Sequence, residues 1–259
     1  MYSAKIMWIT YCISGKLRSA ACTYENIFET MIHPLENISH DIFLHLGITS
    51  NASDDTVAMR NLVDYFRPKN SSLTTTTHMT TGLELCRRDI HRTESIERKQ
   101  YAVIIRVRPD VVYETTIPSF PNDFQTNILI TPADTLRPQS APTRWFVSDI
   151  WAIVPRRLLD VYFSNSRQGL AASACKQTGP GKSFNEFDLG CTMMLANESV
   201  LVLKDISFKK NAWIVCLRDD MLCAKKRQPF LYCPHRKNAT STISLSRAER
   251  VAPFTSRFA

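Results

Sequence analysis

Glycine is scarce in this sequence, and no segment is both long and uniformly apolar. Only 7 of the 259 residues are glycine and 13 are proline, which argues against a fibrous or low-complexity protein. The apolar run from Ile6 to Ile13 resembles a signal peptide only faintly. It is shorter than the ~20 residues that a membrane-spanning helix needs. Lys16 and Arg18 interrupt the region where a cleavage site would follow. We therefore predict that this run is the first β-strand and that the chain has no transmembrane segment.

Closely spaced cysteine pairs are also lacking, although the chain contains eight cysteines. Four residues that could be imagined as a zinc site do not have the CxxC spacing of structural zinc modules: Cys216, Cys223, Cys233 and His235. Cys12 and Cys191 lie inside apolar stretches and are interpreted as small buried hydrophobic residues. A chain of this length does not need disulfide staples. The cysteines therefore favour a reduced, cytoplasmic protein.

Acidic residues are fewer than basic ones, which gives a net charge of +8 and a pI of about 9.1. An anionic partner is therefore expected: nucleic acid, a membrane surface or a phosphorylated small molecule. The basic residues form only short clusters, and no recognised nucleic-acid-binding module appears. Charge alone does not choose among these partners, so a basic nucleic-acid-binding protein stays an alternative. A hydrophobic content of 44% predicts a packed core.

The order of predicted elements indicates an α/β fold. Strands and helices alternate as β-α-β-α-α-β within the first 110 residues, which is typical of a parallel, doubly wound sheet. The predicted strands are 5–12, 41–46 and 101–105, and the predicted helices are 20–32, 53–66 and 80–98. The Ser/Thr-rich segment 71–77 is predicted to be a loop or an exposed edge. No repeat or linker divides the chain, so residues 1–259 are predicted to form one domain.

Two short motifs stand where predicted strands end. In "ISGKLR", Ser14 and Gly15 could present backbone N–H groups to a ligand, and Arg18 could add a forked positive charge for a diphosphate. An ordinary turn with a surface arginine would explain the same residues. In open α/β sheets, ligands bind outside the carboxyl ends of the strands, which is where this motif is expected.

The second motif is "RVRPD", which ends an otherwise apolar strand. Alternation along the strand predicts Arg106 and Arg108 on one face, with Asp110 at the carboxyl end. Buried charges are costly when unpaired, so these residues must pair with each other or with a ligand. An internal arginine–aspartate ion pair is the structural alternative to a ligand site.

Together these motifs resemble nucleotide-sugar-dependent glycosyltransferases of the GT-A kind, especially small enzymes of algae and large algal viruses. The likeness covers about residues 5–195 and rests on matching segments of the sequence: Ser14 to Arg18, Asp41, Arg106 to Asp110, Ser148-Asp149 and Glu186. It implies a single-domain, Rossmann-like, mostly parallel sheet flanked by helices. Residues 1–115 would form the nucleotide-binding half, and residues 116–259 an acceptor-side half with a basic carboxyl-terminal tail.

The resemblance implies transfer of a sugar from a UDP-sugar to a hydroxyl of a glycan or glycoprotein acceptor, and no nucleic-acid partner. A pentose such as xylose is one candidate sugar, and inversion is the expected stereochemistry. A viral member would act in the host cytoplasm. Donor-binding residues would be Ser14, Gly15, Arg18, Arg106, Arg108 and Asp110. Asp110 would also be the ligand of Mn²⁺ or Mg²⁺, although Arg108 stands where the usual Asp-x-Asp motif has its first acid. A metal is therefore either held by Asp110 or replaced by the arginines.

Two acids are candidates for the base that deprotonates the acceptor. Glu186 begins a predicted helix after the loop that contains Gly179 and Gly181, where a GT-A fold commonly has its base. Asp149 lies in the apolar run "WFVSDIWAIV", where burial would raise its pKa. For Glu186, the alternative is that its charge only stabilises the amino end of its helix. For Asp149, the alternative is a structural role in capping neighbouring backbone.

For the protein as a whole, a third possible function, beside a transferase and a nucleic-acid-binding protein, is that of an inactive homologue that binds a nucleotide or a sugar.

Overall fold

The computed structural model describes residues 7–17, 20–48, 52–75, 79–117, 129–132, 150–164, 189, 191–193, 195–196, 200–203, 208–209 and 248–251. The strands of the described residues are β1 (Ile9–Lys16), β2 (His40–Gly47), β3 (Asn70–Thr74), β4 (Val103–Val107), β5 (Val112–Tyr113), β6 (Leu129–Pro132), β7 (Trp151–Pro155), β8 (Val200–Leu203), β9 (Phe208–Lys209) and β10 (Ala248–Val251). The α-helices are α1 (Ala20–Ile27), α2 (Ala52–Phe66), α3 (Met79–Glu97) and α4 (Leu159–Tyr162). A π-helical turn, Phe28–Ile32, continues α1.

Eight of these strands form one sheet in the order β3-β2-β1-β4-β7-β6-β8-β10. The pairs β3–β2, β2–β1, β1–β4 and β6–β8 are parallel, whereas β4–β7, β7–β6 and β8–β10 are antiparallel. Strands β5 and β9 form a separate antiparallel pair. The first four strands therefore build the parallel half of a mixed sheet. The Ser/Thr-rich segment contributes β3, the exposed edge that the sequence left as an alternative to a loop.

Helices cover both faces of this sheet. On one face, residues of α1 and α2 share a core with alternate strand residues, including Ile13, Leu44 and Val107. On the other face, α3 and α4 pack on the intervening strand residues, including Cys12, Phe43 and Ile104. This alternation is what a strand buried on both faces requires. The prediction of an α/β fold with a mostly parallel sheet flanked by helices is confirmed.

A disulfide joins the sheet to α3 and corrects the interpretation of the cysteines. Cys12 of β1 is fully buried, as predicted, but it is bonded to Cys86 of α3 with an S–S distance of 2.04 Å. Cys191 is disulfide-bonded as well. The expectation of a fully reduced chain is therefore wrong. The apolar surroundings of Cys12 correctly indicated burial, but the pairing depends on α3, which is 74 residues away along the chain.

A polar network connects α3 with the edge of the sheet. Nδ1 of His45 lies 2.7 Å from Oγ of Ser72, and Nε2 lies 3.0 Å from a carboxylate oxygen of Asp89. The side-chain amide of Asn70 donates to the same carboxylate over 2.7 Å. Burial lowers the pKa of His45 and outweighs the attraction of Asp89, which acts in the opposite direction. The imidazole is therefore neutral near pH 7 and ties β2, β3 and α3 together.

None of the helices among the described residues combines the length and the apolar character needed to cross a membrane.

Candidate functional site

The order of the parallel strands creates a crevice at one end of the sheet. The chain passes from β1 outward to β2 and β3, and then returns through α3 to β4 on the opposite side of β1. Pairing of β1 with β4 ends at Ile13 and Val107, whereas pairing of β1 with β2 continues to Lys16 and Gly47. The carboxyl ends of β1 and β4 therefore border a topological switch point, the usual ligand position in open α/β sheets. Both sequence motifs lie at this switch point.

Gly15 brings the two motifs into contact. A Cβ atom at this position would lie 2.9 Å from Cδ of Pro109 and 3.7 Å from Cγ of Arg108. The φ of Gly15 is +152°, a conformation that other residues rarely adopt. Close approach and backbone conformation thus both require glycine. The sequence predicted that the first strand ends at residue 12, but β1 extends to Lys16.

Ser14 faces α3 and is fully buried. A Cβ atom on Gly82 would lie 2.9 Å from Cβ of Ser14, so the first turn of α3 rests directly on the end of β1. The Ser14 hydroxyl oxygen lies 3.6 Å from the disulfide sulfur of Cys12. Ser14 therefore packs against α3 at the end of β1. Its predicted contact with the sugar-donor ligand stays a prediction. The role of Gly82 had no signal in the sequence, because a glycine inside a helix does not reveal what it contacts.

Arg106 is buried inside the fold rather than exposed at its surface. It pairs with Cys12 of β1 and Ala152 of β7 across the sheet, so it belongs to the face that α3 covers. Its guanidinium Nη1 donates to the carbonyl oxygen of Val107. A charge in this position contributes a positive potential beneath the end of β4.

Arg108 and Asp110 form a close ion pair at the end of β4. Nε of Arg108 lies 2.6 Å from Oδ1 of Asp110, and Nη2 lies 3.1 Å from Oδ2. The side chain of Asp110 is only 3% exposed, whereas that of Arg108 is 28% exposed. This two-point contact is the ion pair that the sequence offered as an alternative to a ligand site. Within the pair, Arg108 is the partner that solvent can reach.

The backbone around this pair is held by residues that the sequence did not single out. The hydroxyl of Tyr113 lies 2.9 Å from the carbonyl oxygen of Arg108 and accepts the Arg108 backbone N–H over 3.1 Å. The side chain of Asn26 in α1 bonds both backbone groups of Tyr113, over 2.7 and 2.9 Å. Thr23 of α1 donates to the carbonyl of Pro109. Tyr113 is fully buried and looked like an ordinary apolar residue in the run "VVY".

Asp41, part of the family resemblance, lies at the opposite end of the sheet. It is near the start of β2, where Lys99 and Tyr101 donate hydrogen bonds to it and Lys69 lies 3.4 Å away. Burial opposes ionisation of Asp41, but the hydrogen bonds from Lys99 and Tyr101 outweigh burial and lower its pKa. Asp41 is therefore a structural residue, remote from the switch point.

Several predicted site residues fall outside the part of the chain that the structure describes. These are Arg18, Ser148, Asp149 and Glu186. Their roles stay predictions.

The described residues do not fit a divalent cation. Mn²⁺ and Mg²⁺ need several oxygen ligands, and both carboxylate oxygens of Asp110 are engaged by Arg108. Within the described ranges, no group of three or more His, Cys, Asp or Glu residues could hold a metal. The predicted metal role of Asp110 therefore gains no support from the geometry of this site.

No protein-family model matches the chain, and no curated protein matches it in sequence. Among solved structures, the chain is similar to a nucleoside-diphosphate-sugar pyrophosphorylase from Vibrio cholerae RC9. The identity is 12% and the TM-score is 0.46, with 82% of this chain and 98% of that chain covered. A similarity this weak supports no conclusion about activity, so function has to be inferred from the site.

Proposed function

We propose that this protein is a glycosyltransferase that uses a nucleotide-sugar donor, with a UDP-sugar as the expected donor. The observation that supports this most is the meeting of two motifs at the switch point. Gly15 near the end of β1 touches Pro109, and Arg108 beside it has a partly exposed side chain. A backbone turn and a forked cation at the carboxyl ends of parallel strands suit a diphosphate. The acceptor would be a hydroxyl of a glycan or glycoprotein.

The roles within the donor site follow from exposure. Arg108 is accessible and is the proposed direct contact to the diphosphate. Arg106 is buried, and we assign it an indirect role in which its positive charge favours the anionic leaving nucleotide from beneath. Gly15 allows the backbone to approach the ligand closely. Arg18 is a further proposed diphosphate contact. Stabilising the departing nucleotide is the main electrostatic requirement of the transfer step.

Glu186 is the proposed general base, and Asp149 is the alternative. Loss of a general base typically lowers the rate 10²–10⁴-fold, mostly in kcat when substrates still bind. Glu186→Gln should therefore bind donor normally while transfer collapses. If Glu186→Gln keeps more than about a tenth of the rate while Asp149→Asn abolishes transfer, the two assignments are reversed.

A non-catalytic homologue that binds nucleotide sugars is the second candidate. The ion pair between Arg108 and Asp110 favours it, because Asp110 is the single acid left of the usual metal motif. Binding of a nucleotide sugar without turnover, in the presence of acceptor glycans, would support this candidate against the transferase.

A cytoplasmic location stays a prediction, and the buried disulfide argues against it. Stable disulfides are rare in the cytosol and common in oxidising compartments.

The test is a thermal-shift panel of nucleotide sugars, followed by a transfer assay with those that bind. A ligand at 100 times its dissociation constant adds about 2.7 kcal/mol to the free energy of unfolding. We expect UDP and a UDP-sugar to raise the melting temperature. Equal melting temperatures with UDP, GDP and no ligand would contradict the proposal. An oligonucleotide that binds with steep salt dependence would favour the nucleic-acid alternative instead.

A further inference from the structure

The ion pair at the end of β4 has its cation outermost. Nε and Nη2 of Arg108 contact the two carboxylate oxygens of Asp110 over 2.6 and 3.1 Å. The side chain of Asp110 is 3% exposed and that of Arg108 is 28% exposed. An ion that approaches from solvent therefore has access to the Arg108 side chain but hardly any to the Asp110 carboxylate.

Because Arg108 is the more exposed partner of the pair, the site favours an anion over a cation as its ligand. A divalent cation would approach a like charge and would compete with it for a carboxylate that is already paired. A diphosphate would instead meet a planar guanidinium. Such a group is a permanent, forked cation whose geometry matches phosphate oxygens. The Asp110 carboxylate orients that fork through contacts of 2.6 and 3.1 Å.

The backbone that carries the pair is fixed before any ligand arrives. Tyr113 bonds the backbone of Arg108, and Thr23 bonds the carbonyl of Pro109. Rigid placement of a binding group lowers the entropy lost when the ligand binds. Asp110 adds the last constraint, because a two-point contact orients the plane of the guanidinium.

We propose that the Arg108–Asp110 pair replaces the divalent cation in this site. Arg108 binds the diphosphate of a nucleoside-diphosphate donor without metal, and Asp110 is a positioning residue that orients the guanidinium. The proposal rests on the proposed function, since it concerns the same donor site.

The test compares UDP binding to the full chain in EDTA and in Mn²⁺ by isothermal titration calorimetry. The expected result is a dissociation constant that changes less than threefold between the two conditions. UDP that binds only with Mn²⁺, or at least tenfold more tightly with it, overturns this inference and leaves the proposed function intact. A failure of UDP to bind in both conditions overturns the proposed function as well.

Three variants test the roles within the pair, all in EDTA. Arg108→Lys keeps the charge but loses the planar fork, so UDP binding should weaken at least tenfold. Arg60→Lys makes the same change on the exposed surface of α2 and should leave binding unchanged. Asp110→Asn should also weaken UDP binding, with Mn²⁺ still without effect.

Unchanged UDP affinity in a folded Asp110→Asn protein would contradict the positioning role. If that variant does not fold because Asp110 is buried, the more exposed Arg108→Lys decides the question. Normal affinity of Arg108→Lys in EDTA overturns the inference.

Discussion

Removal of the disulfide between β1 and α3 should lower the free energy of unfolding by about 4 kcal/mol. The bridge joins Cys12 to Cys86 across a separation of 74 residues. For a loop of that size, the chain-entropy relation gives about 4.4 kcal/mol at 25 °C. Because whole domains are stable by only about 5–15 kcal/mol, the double variant Cys12→Ala/Cys86→Ala should lose a large share of its stability. The loss acts through the unfolded chain, which gains freedom when the bridge is absent.

Urea unfolding followed by circular dichroism, without reductant, measures this loss. The slope of unfolding free energy against urea should rise in the double variant, because its unfolded chain exposes more surface. Ile90→Val is a matched control on the same face of α3; it keeps the bridge and should cost only about 0.5–1.5 kcal/mol. A double variant that loses less than 1 kcal/mol, with an unchanged slope, would refute the reasoning. Peptide mapping under non-reducing conditions would then show whether the two cysteines are joined at all.

Three further predictions concern the site and its supports. Gly15→Ala should lose about 2–4 kcal/mol in urea unfolding and weaken UDP binding, because the new methyl group meets Pro109 and the backbone is strained. Tyr113→Phe should lower the free energy of unfolding by about 1–3 kcal/mol and weaken UDP binding. Tyr11→Phe is the control and should do neither, because the buried Tyr11 hydroxyl has no hydrogen-bond partner among the described residues. The depressed pKa of His45 should make stability fall below pH 6.5, by up to about 1.4 kcal/mol per pH unit, and His45→Gln should flatten that slope.

Each of these predictions has an outcome that contradicts it. Normal stability of Gly15→Ala would mean that β1 and the loop after β4 are not in contact. Equal effects of the two tyrosine variants would remove the special role of Tyr113. For His45, the folded protein takes up a proton less readily than the unfolded chain, so stability is complete above pH 6.5 and is lost as the pH falls. A flat pH profile between pH 5 and 6.5 in the unmodified protein would contradict the depressed pKa.

The sequence was sufficient for three of the four strands in the parallel half of the sheet, because their signals are local; β3 was left open as a loop or an exposed edge. An apolar strand such as Val103–Val107 is recognisable from its own residues, and so is the helix that precedes it. The same holds for the placement of Gly15 and Asp110, since the carboxyl ends of parallel strands meet at one edge. The order of these strands and helices along the chain therefore predicted where they lie in the sheet.

Pairings between distant segments could not be predicted in the same way. Cys12 was correctly judged to be buried, but its bond to Cys86 depends on how α3 packs on β1. The hydroxyl of Tyr113 is masked by the apolar neighbours of that residue, and its partners are backbone groups of Arg108. Asp41 belonged to the family resemblance without an assigned role, and its pairing with lysines at the opposite end of the sheet had no local signal.

The most direct test of the central claim is a crystal structure of the chain with UDP bound. We predict that the diphosphate lies at the carboxyl ends of β1 and β4, within hydrogen-bond distance of the Arg108 guanidinium and close to the backbone of Gly15. Asp110 should still contact Arg108 in that complex. UDP bound elsewhere, for example beside Lys99 at the amino end of β2, would contradict the account. So would a metal ion that separates Arg108 from Asp110.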